Sequence, residues 1–509
     1  MPRQSSEVPL VTLNINFTSK IPLNKQLYNL LRNAILEGKF SKDQKLPGTR
    51  SLAQALKISR NTVDLVFDQL TDEGYIYKKK SSGSYVNEIP DNFFSSVRYR
   101  QEINTSLQKK DILRNEITNF ESLLQKERFG PEELISRFKG ADEVFPFQNG
   151  IPSFNEFPFK IWHKNIDHVL LTSFSSNLGY GEAAGYKPLR KAITSYLRTY
   201  RAVNCNSDQI IILNGTQQGL DVIGRLLTNS AKRKLLVWIE DPGYFSARAS
   251  FIFSGAEIFP CPLDDEGLDL NYAIKNNPKP DLIFTTPSHQ FPLGLTMSTP
   301  RRLALLQYAK QNNCWILEDD YDSEFRYTGN PLPSLQGMDK DNKVFYLGTF
   351  SKVLYPGLRV GYMVLPDSKI LETFAAAKSL IDRQNPILEQ MVLAKFIEDG
   401  DFTKHLRKMR LLYKERQEFL IEKINQDFNG KIKTNLSPAG MHLIAWLPEN
   451  LNDKKIADLA LQNNLIVRAL SEYSIKYFKN PALLLGYAAF NKDEISEGIN
   501  RLKYIFSKF

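Results

Sequence analysis

"GTFSKVLYPGLRVGY", residues 348–362, sets a lysine in a turn of glycine, threonine and serine directly behind the apolar run 344–347. A short apolar run that ends in small polar residues reads as a buried strand opening into a loop. Lys352 then stands just past a strand end, with Ser351 before it and Arg359 seven residues on. In α/β sheets ligands bind beyond the carboxyl ends of the strands, so this is a place for chemistry rather than for a solvated surface lysine.

The same texture extends in both directions. "QIIIL" (209–213), "LLVWI" (235–239), "DLIFTT" (281–286), "CWILEDD" (314–320), "VFYLG" (344–348) and "RVGYMVL" (359–365) alternate with helical stretches. Apolar β-branched strands spaced in this way predict a largely parallel α/β sheet covered on both faces. After residue 400, "HLRKMRLLYKERQEFLIEKI" predicts a long amphipathic helix leading into a smaller α+β portion.

Each strand end carries a chemical group. Gly215, Thr216 and Gln217 open a helix where free N–H groups favour a phosphate. Tyr244 follows "LLVWIEDPG", and three consecutive carboxylates, including Asp319, precede Tyr321. Buried carboxylates are costly without a cation nearby. A ligand with a phosphate, a cationic ring nitrogen and an electrophilic carbon satisfies all these stations, and pyridoxal 5'-phosphate has all three. Lys352 would hold it as an internal aldimine, Asp319 would face the ring nitrogen, Tyr321 the ring oxygen and Tyr244 the ring face. Arg359, Ser351 and the Gly215–Thr216 helix start would hold the phosphate.

The ordered series of aspartate, tyrosine two residues on, lysine 33 residues after the aspartate, and then arginine resembles the fold-type I aminotransferases over roughly residues 145–509. The resemblance implies a dimer with a shared cofactor site, Tyr180 of "GYGEAAGY" reaching the phosphate of the neighbouring subunit. Two departures stand out. The usual "NPTG" appears within "PSHQFPLG" (287–294), leaving His289 and Gln290 both open as cofactor contacts. Where relatives carry a carboxylate-binding arginine, "ALLLGYAAF" has Leu484, so Arg468 in "LIVRALSEY" is the candidate for an effector carboxylate.

The other end of the chain has a different texture. Leu27, Leu30, Leu31, Ala34 and Ile35 form an amphipathic stripe over 26–38; a short helix is expected over 51–57 and another over 60–73, capped by Ser59 and closed by Gly74. "YIYKKKSSGSYV" (75–86) then predicts a basic hairpin. Three helices and a hairpin are the winged helix-turn-helix order. "LPGTRSLAQALKISRNTVDLVFDQLTDEGYI", with the stretch before it, resembles the GntR-type DNA-binding domain over some 65 residues. The resemblance implies operator contacts from Arg50, Ser59, Arg60, Asn61 and Thr62, and from Lys79 and Gly83 in the wing.

The expected organisation is therefore a DNA-binding domain over 1–88, a linker over 89–142, and a pyridoxal-phosphate-binding aminotransferase-like domain over 143–509. Together the two ends resemble the MocR/GabR-type transcriptional regulators. This implies a dimeric regulator that binds double-stranded operator DNA and senses a small amine or amino acid through the cofactor. Two rivals stand beside it: a working aminotransferase with an appended head, and a regulator whose effector is pyridoxal phosphate itself.

Composition fits this organisation. At 509 residues the chain exceeds one core, and 42% apolar with 24% charged residues is ordinary globular usage. Residues 1–90 hold 13 Lys+Arg against 8 Asp+Glu, half of the net charge of +10, a surplus that fits a polyanion partner and that solubility alone would also explain. Scattered Cys205, Cys261 and Cys314, with no paired spacing, argue against a zinc site and for a reducing cytoplasm. No apolar run is long enough for a membrane span, and the first residues show no secretory pattern.

Overall fold

A computed structural model describes residues 15–19, 21–79, 82–88, 144–231, 233–329, 332–478 and 480–509. The expected linker, 89–142, lies outside them, as does Lys80 of the wing. The chain divides into two compact units, Met1–Arg137 and Phe138–Phe509.

In the first unit the stripe of α1 (Leu23–Leu36) buries Leu27, Leu31 and Ile35 against α2 (Thr49–Leu56) and α3 (Arg60–Asp72). Val63, Val66, Phe67 and Leu70 supply the face of α3, and Ile76 and Val86 close the core from the hairpin β1 (Ile76–Lys79) and β2 (Gly83–Val86). Ser59 caps α3, its Oγ accepting from the Thr62 N–H at 3.1 Å. The expected helix over 51–57 starts two residues earlier, so Arg50 is the second residue of α2 rather than part of the approach to it. Lys57 ends that helix in the left-handed region with φ of 55°.

The second unit is built on an eight-stranded sheet in the order β3-β10-β9-β8-β7-β4-β5-β6. Its strands are β3 (Ile210–Leu213), β4 (Leu236–Asp241), β5 (Glu257–Asp264), β6 (Gly267–Leu268), β7 (Leu282–Thr285), β8 (Trp315–Asp320), β9 (Val344–Thr349) and β10 (Gly361–Val364). The block β5-β4-β7-β8-β9 is parallel, while β10 runs antiparallel to both β9 and β3. Strand β3 therefore points the same way as β9, and the carboxyl ends of β3, β4, β7, β8 and β9 share one edge. Every residue of β3, β7, β9 and β10 is buried, which is why these strands read as unbroken apolar runs.

Strands β5 and β6 escape the sequence reading for a physical reason. Two-residue β6 is the edge strand, and β5 beside it pairs with β6 only at Leu263 and Asp264, is mostly half-buried and carries Pro260 and Pro262, so it has no continuous apolar run.

The smaller portion is an antiparallel sheet β11-β13-β12, from β11 (His442–Trp446), β12 (Arg468–Ala469) and β13 (Ala482–Gly486). The 28-residue helix Asp401–Phe428 and the helices Asp453–Gln462 and Lys492–Phe506 accompany it. Leu443, Ala445, Leu483, Leu485 and Ala469 turn one face into the main core. Alternation puts His442, Leu484 and Arg468 on the other face. Among the described residues no helix is long and apolar enough to cross a membrane.

Candidate functional site

Lys352 lies three residues past β9, and its Nζ donates to the Gly150 carbonyl at 2.9 Å. Gly150 has φ of 73°, and a Cβ there would come within 2.7 Å of that nitrogen, so the lysine passes where only glycine leaves room. Loss of hydration pushes the Lys352 amine below its usual range, with Asp322 and Asp319 opposing the shift. A lowered amine pKa raises the fraction of neutral, nucleophilic lysine.

Asp319 is buried at the end of β8. Burial, then the carboxylates of Asp320 and Asp322, push its pKa up to about 7, against the pull of Lys352. Its Oδ1 has no hydrogen-bond partner among the described residues. An orphaned carboxylate oxygen in a dry site is the complement of a cationic N–H donor. Tyr244 is half-buried after β4, its hydroxyl pushed up to about 12 by burial and then by Asp319, with Arg359 pulling it down. Its ring stands edge-on to Phe291 at 5.8 Å.

Arg359, in the left-handed region with φ of 52°, donates to the Asn214 carbonyl, and its guanidinium lies against Gly215. Gly215 has φ of 102°, and a Cβ there would come within 3.0 Å of Arg359 Nη2. Thr216 begins the helix Thr216–Ala231 directly beyond it, so cationic side chain and free N–H groups face the same opening. Ser351 is buried beside Lys352, its N–H bonded to Thr349 Oγ1.

The structure gathers Lys352, Asp319, Tyr321, Tyr244, Ser351, Arg359, Gly215 and Thr216 at one sheet edge. Gln217 turns away, donating to Ser250 and to the Ser246 carbonyl. Tyr180 stands apart, 84% exposed, with the Arg383 guanidinium 5.3 Å over its ring. Arg468, half-buried, pairs with Leu484 in register. It shares the sheet face of His442, whose ring lies 5.3 Å from that of His289.

Tyr321 brings in His289, left open as a contact by the sequence, and Asp322, which the sequence reading overlooks. Its hydroxyl lies 3.0 Å from His289 Nδ1, which also sits 3.0 Å from both oxygens of Asp322. His289 Nε2 is buried without a partner, whereas Gln290 is consumed bracing its own loop through the Pro242 and Phe291 carbonyls and the Leu293 N–H. Asp322 belongs to the carboxylate run "EDDYDSE", which signalled a missing cation but not which one. Behind the phosphate side, Asp382 accepts from Asn214, Gln218 and the buried Lys378, fixing the loop that carries the Asn214 carbonyl. Only the fold joins these residues, so no local spacing could have found them.

On the first unit, Arg60, Asn61 and Arg50 are exposed, and Arg60 is 3.4 Å from Asp64. Lys79 Nζ lies 4.8 Å over the Tyr85 ring. Gly83, with φ of 116°, lies against Lys45, and Lys45 bridges to Tyr85 as an added rung of the wing. The sequence reading missed Lys45 because an isolated bridge leaves no periodic signal.

Two family models match: aminotransferase class I and II over residues 143–502, and bacterial regulatory proteins of the gntR family over 23–86. The chain is 34% identical over 498 residues to the probable rhizopine catabolism regulatory protein MocR of Rhizobium meliloti, covering 96% of this chain and 94% of that one. It is 27% identical to the pyridoxine biosynthesis transcriptional regulator PdxR of Corynebacterium glutamicum, covering 95% and 96%. Among solved structures, the Pyrococcus horikoshii kynurenine aminotransferase in complex with PMP is 28% identical with a TM-score of 0.65, over 74% of this chain and 94% of that one.

Proposed function

Since the chain belongs to the MocR-type transcriptional regulators, with a gntR-family head and an aminotransferase class I and II body, we propose that its Lys352 site binds pyridoxal phosphate and reads an amine or amino-acid effector there. The observation that carries the reading is Asp319, buried, pushed up to about 7 and with Oδ1 unpartnered, in a site whose lysine is pushed down. That donor set fits the cofactor's cationic ring nitrogen and reactive carbon.

When bound, the cofactor supplies an electrophilic carbon on an electron-withdrawing ring. The chain supplies the rest. Lys352 presents an amine whose pKa burial lowers, held toward Gly150, and Asp319 a carboxylate whose charge a cation would stabilise. Tyr321 offers its hydroxyl, oriented by His289 and Asp322, and Tyr244 covers one ring face. Arg359 and the N–H groups at Thr216 bind phosphate, and Arg468 binds the effector's carboxylate from the smaller sheet. Tyr180, exposed on its own protomer, serves the phosphate of a second copy, so the regulator acts as a homodimer with a shared site.

The kinship to aminotransferases favours one other reading, because the same lysine, aspartate and tyrosine would serve turnover. Mixing the holoprotein with an amine panel and keto-acid acceptors separates them. The sensor reading expects amine-induced spectral change with no steady keto-acid consumption; sustained turnover with any acceptor would overturn it.

A further inference from the structure

Beside the carboxylate run, three arginines converge on one small cavity. Arg201, Arg302 and Arg326 line it with Ser288, Ser323, Leu332 and Ala439, and its volume of about 10 Å³ holds a single water-sized or monatomic occupant. Arg302 is fully buried and Arg201 nearly so. No carboxylate lines the cavity among the described residues. Asp320, outside the lining, pairs with Arg201 at 2.7 Å, and Glu318 is 3.9 Å from Arg302. Arg326 has only neutral partners there, the Thr328 carbonyl and Thr296 Oγ1.

The lining is donor-rich. Guanidinium groups donate and cannot accept, and Ser288 Oγ already receives Arg201 Nη2 at 3.0 Å. Ser323 is more than nine-tenths buried, yet its Oγ has no partner among the described residues. The arginines also repel one another: burial, then the Arg201 charge, pushes Arg326 below its usual range. Arg201 and Arg302 each have a carboxylate beside them, whereas Arg326 has none among the described residues. An occupant that only accepts hydrogen bonds and carries one negative charge answers both deficits, whereas a water's two protons find few acceptors.

We propose that this cavity is a binding site for a monatomic anion, chloride in solution, held by Arg201, Arg302, Arg326 and the Ser323 hydroxyl. The anion steadies Arg201, whose guanidinium holds Asp320 next to Asp319.

Crystals of the full chain grown in sodium bromide test the site through bromine anomalous scattering. The expected result is one anomalous peak between the three guanidinium groups; a site filled by water, with no anomalous signal, overturns the proposal. Thermal melts in chloride against gluconate at fixed ionic strength give a second readout. Chloride should raise Tm by about 1–3 °C in the wild type and not in Arg326→Gln. An equal rise in the variant, or an equal Tm in both salts for the wild type, contradicts the assignment.

Discussion

Asp319 has a raised pKa in a site that offers its Oδ1 no hydrogen-bond donor, and that has a thermodynamic consequence. Its folded-state pKa of about 7 lies above the usual aspartate value of 3.8, so the folded, cofactor-free chain holds a proton that the unfolded chain releases. Stability from this group is complete below pH 3.8 and is lost as pH rises toward 7, at most on the order of 4 kcal/mol. Comparing denaturant midpoints of cofactor-free wild type and Asp319→Asn across pH 4 to 8 should show the wild type losing ground as pH rises. Parallel profiles would mean that Asp319 is already ionised. Lys352→Ala should abolish the borohydride-reducible, lysine-linked visible chromophore formed with pyridoxal phosphate while leaving the head folded. An undiminished chromophore in the variant would move the attachment to another lysine. Lys352, Asp319, Tyr321 and Arg359 are legible in the sequence because each lies at or beyond the carboxyl end of an apolar run, that of β8 or of β9. His289 is open as a contact but not assigned, and Asp322 is invisible, because their pairing depends on how loop 287–294 crosses the end of β8.

At the scale of elements, α3 and the wing should fail differently. Arg60 is exposed at the first turn of α3, so Arg60→Ala should cost about 1–3 kcal/mol on matched operator and relax specificity at one position per half-site. Lys79 lies over the Tyr85 ring in the wing, and Lys79→Ala should weaken matched and scrambled DNA alike, lowering the salt slope by about one unit per bound head. Equal losses for both variants on both DNAs would take α3 out of the groove. Gly440 shows how tightly the smaller sheet meets the site: with φ of 96°, a Cβ there would fall 2.0 Å from His289 Cε1. Gly440→Ala should therefore displace His289 and lower cofactor affinity, read by fluorescence titration; unchanged affinity would mean the ring moves freely. Helices α1 and α3 are legible because their apolar stripes are regular and Ser59 and Gly74 mark the ends of α3. Strand β5 is not, since a mostly half-buried strand with two prolines, next to the two-residue edge strand β6, has neither a buried run nor alternation.

The whole molecule joins two readings that the sequence holds in separate segments, and neither unit alone explains the other. Charge supports the division, since residues 1–90 carry a surplus of five positive charges toward a polyanion. The exposed Tyr180 makes the oligomer part of the account: a dimer should form at micromolar concentration in sedimentation, with Tyr180→Phe weakening cofactor binding and leaving assembly intact. A monomer would contradict the shared site. The central claim is that chemistry at Lys352 changes how the head engages DNA, and footprinting the full chain on its own upstream region tests it most directly. With pyridoxal phosphate present, one member of an amine and amino-acid panel should alter the wild-type footprint, and Lys352→Ala should bind the same operator with no response to that compound. A footprint identical with and without every amine, or a Lys352→Ala response equal to wild type, would contradict the account.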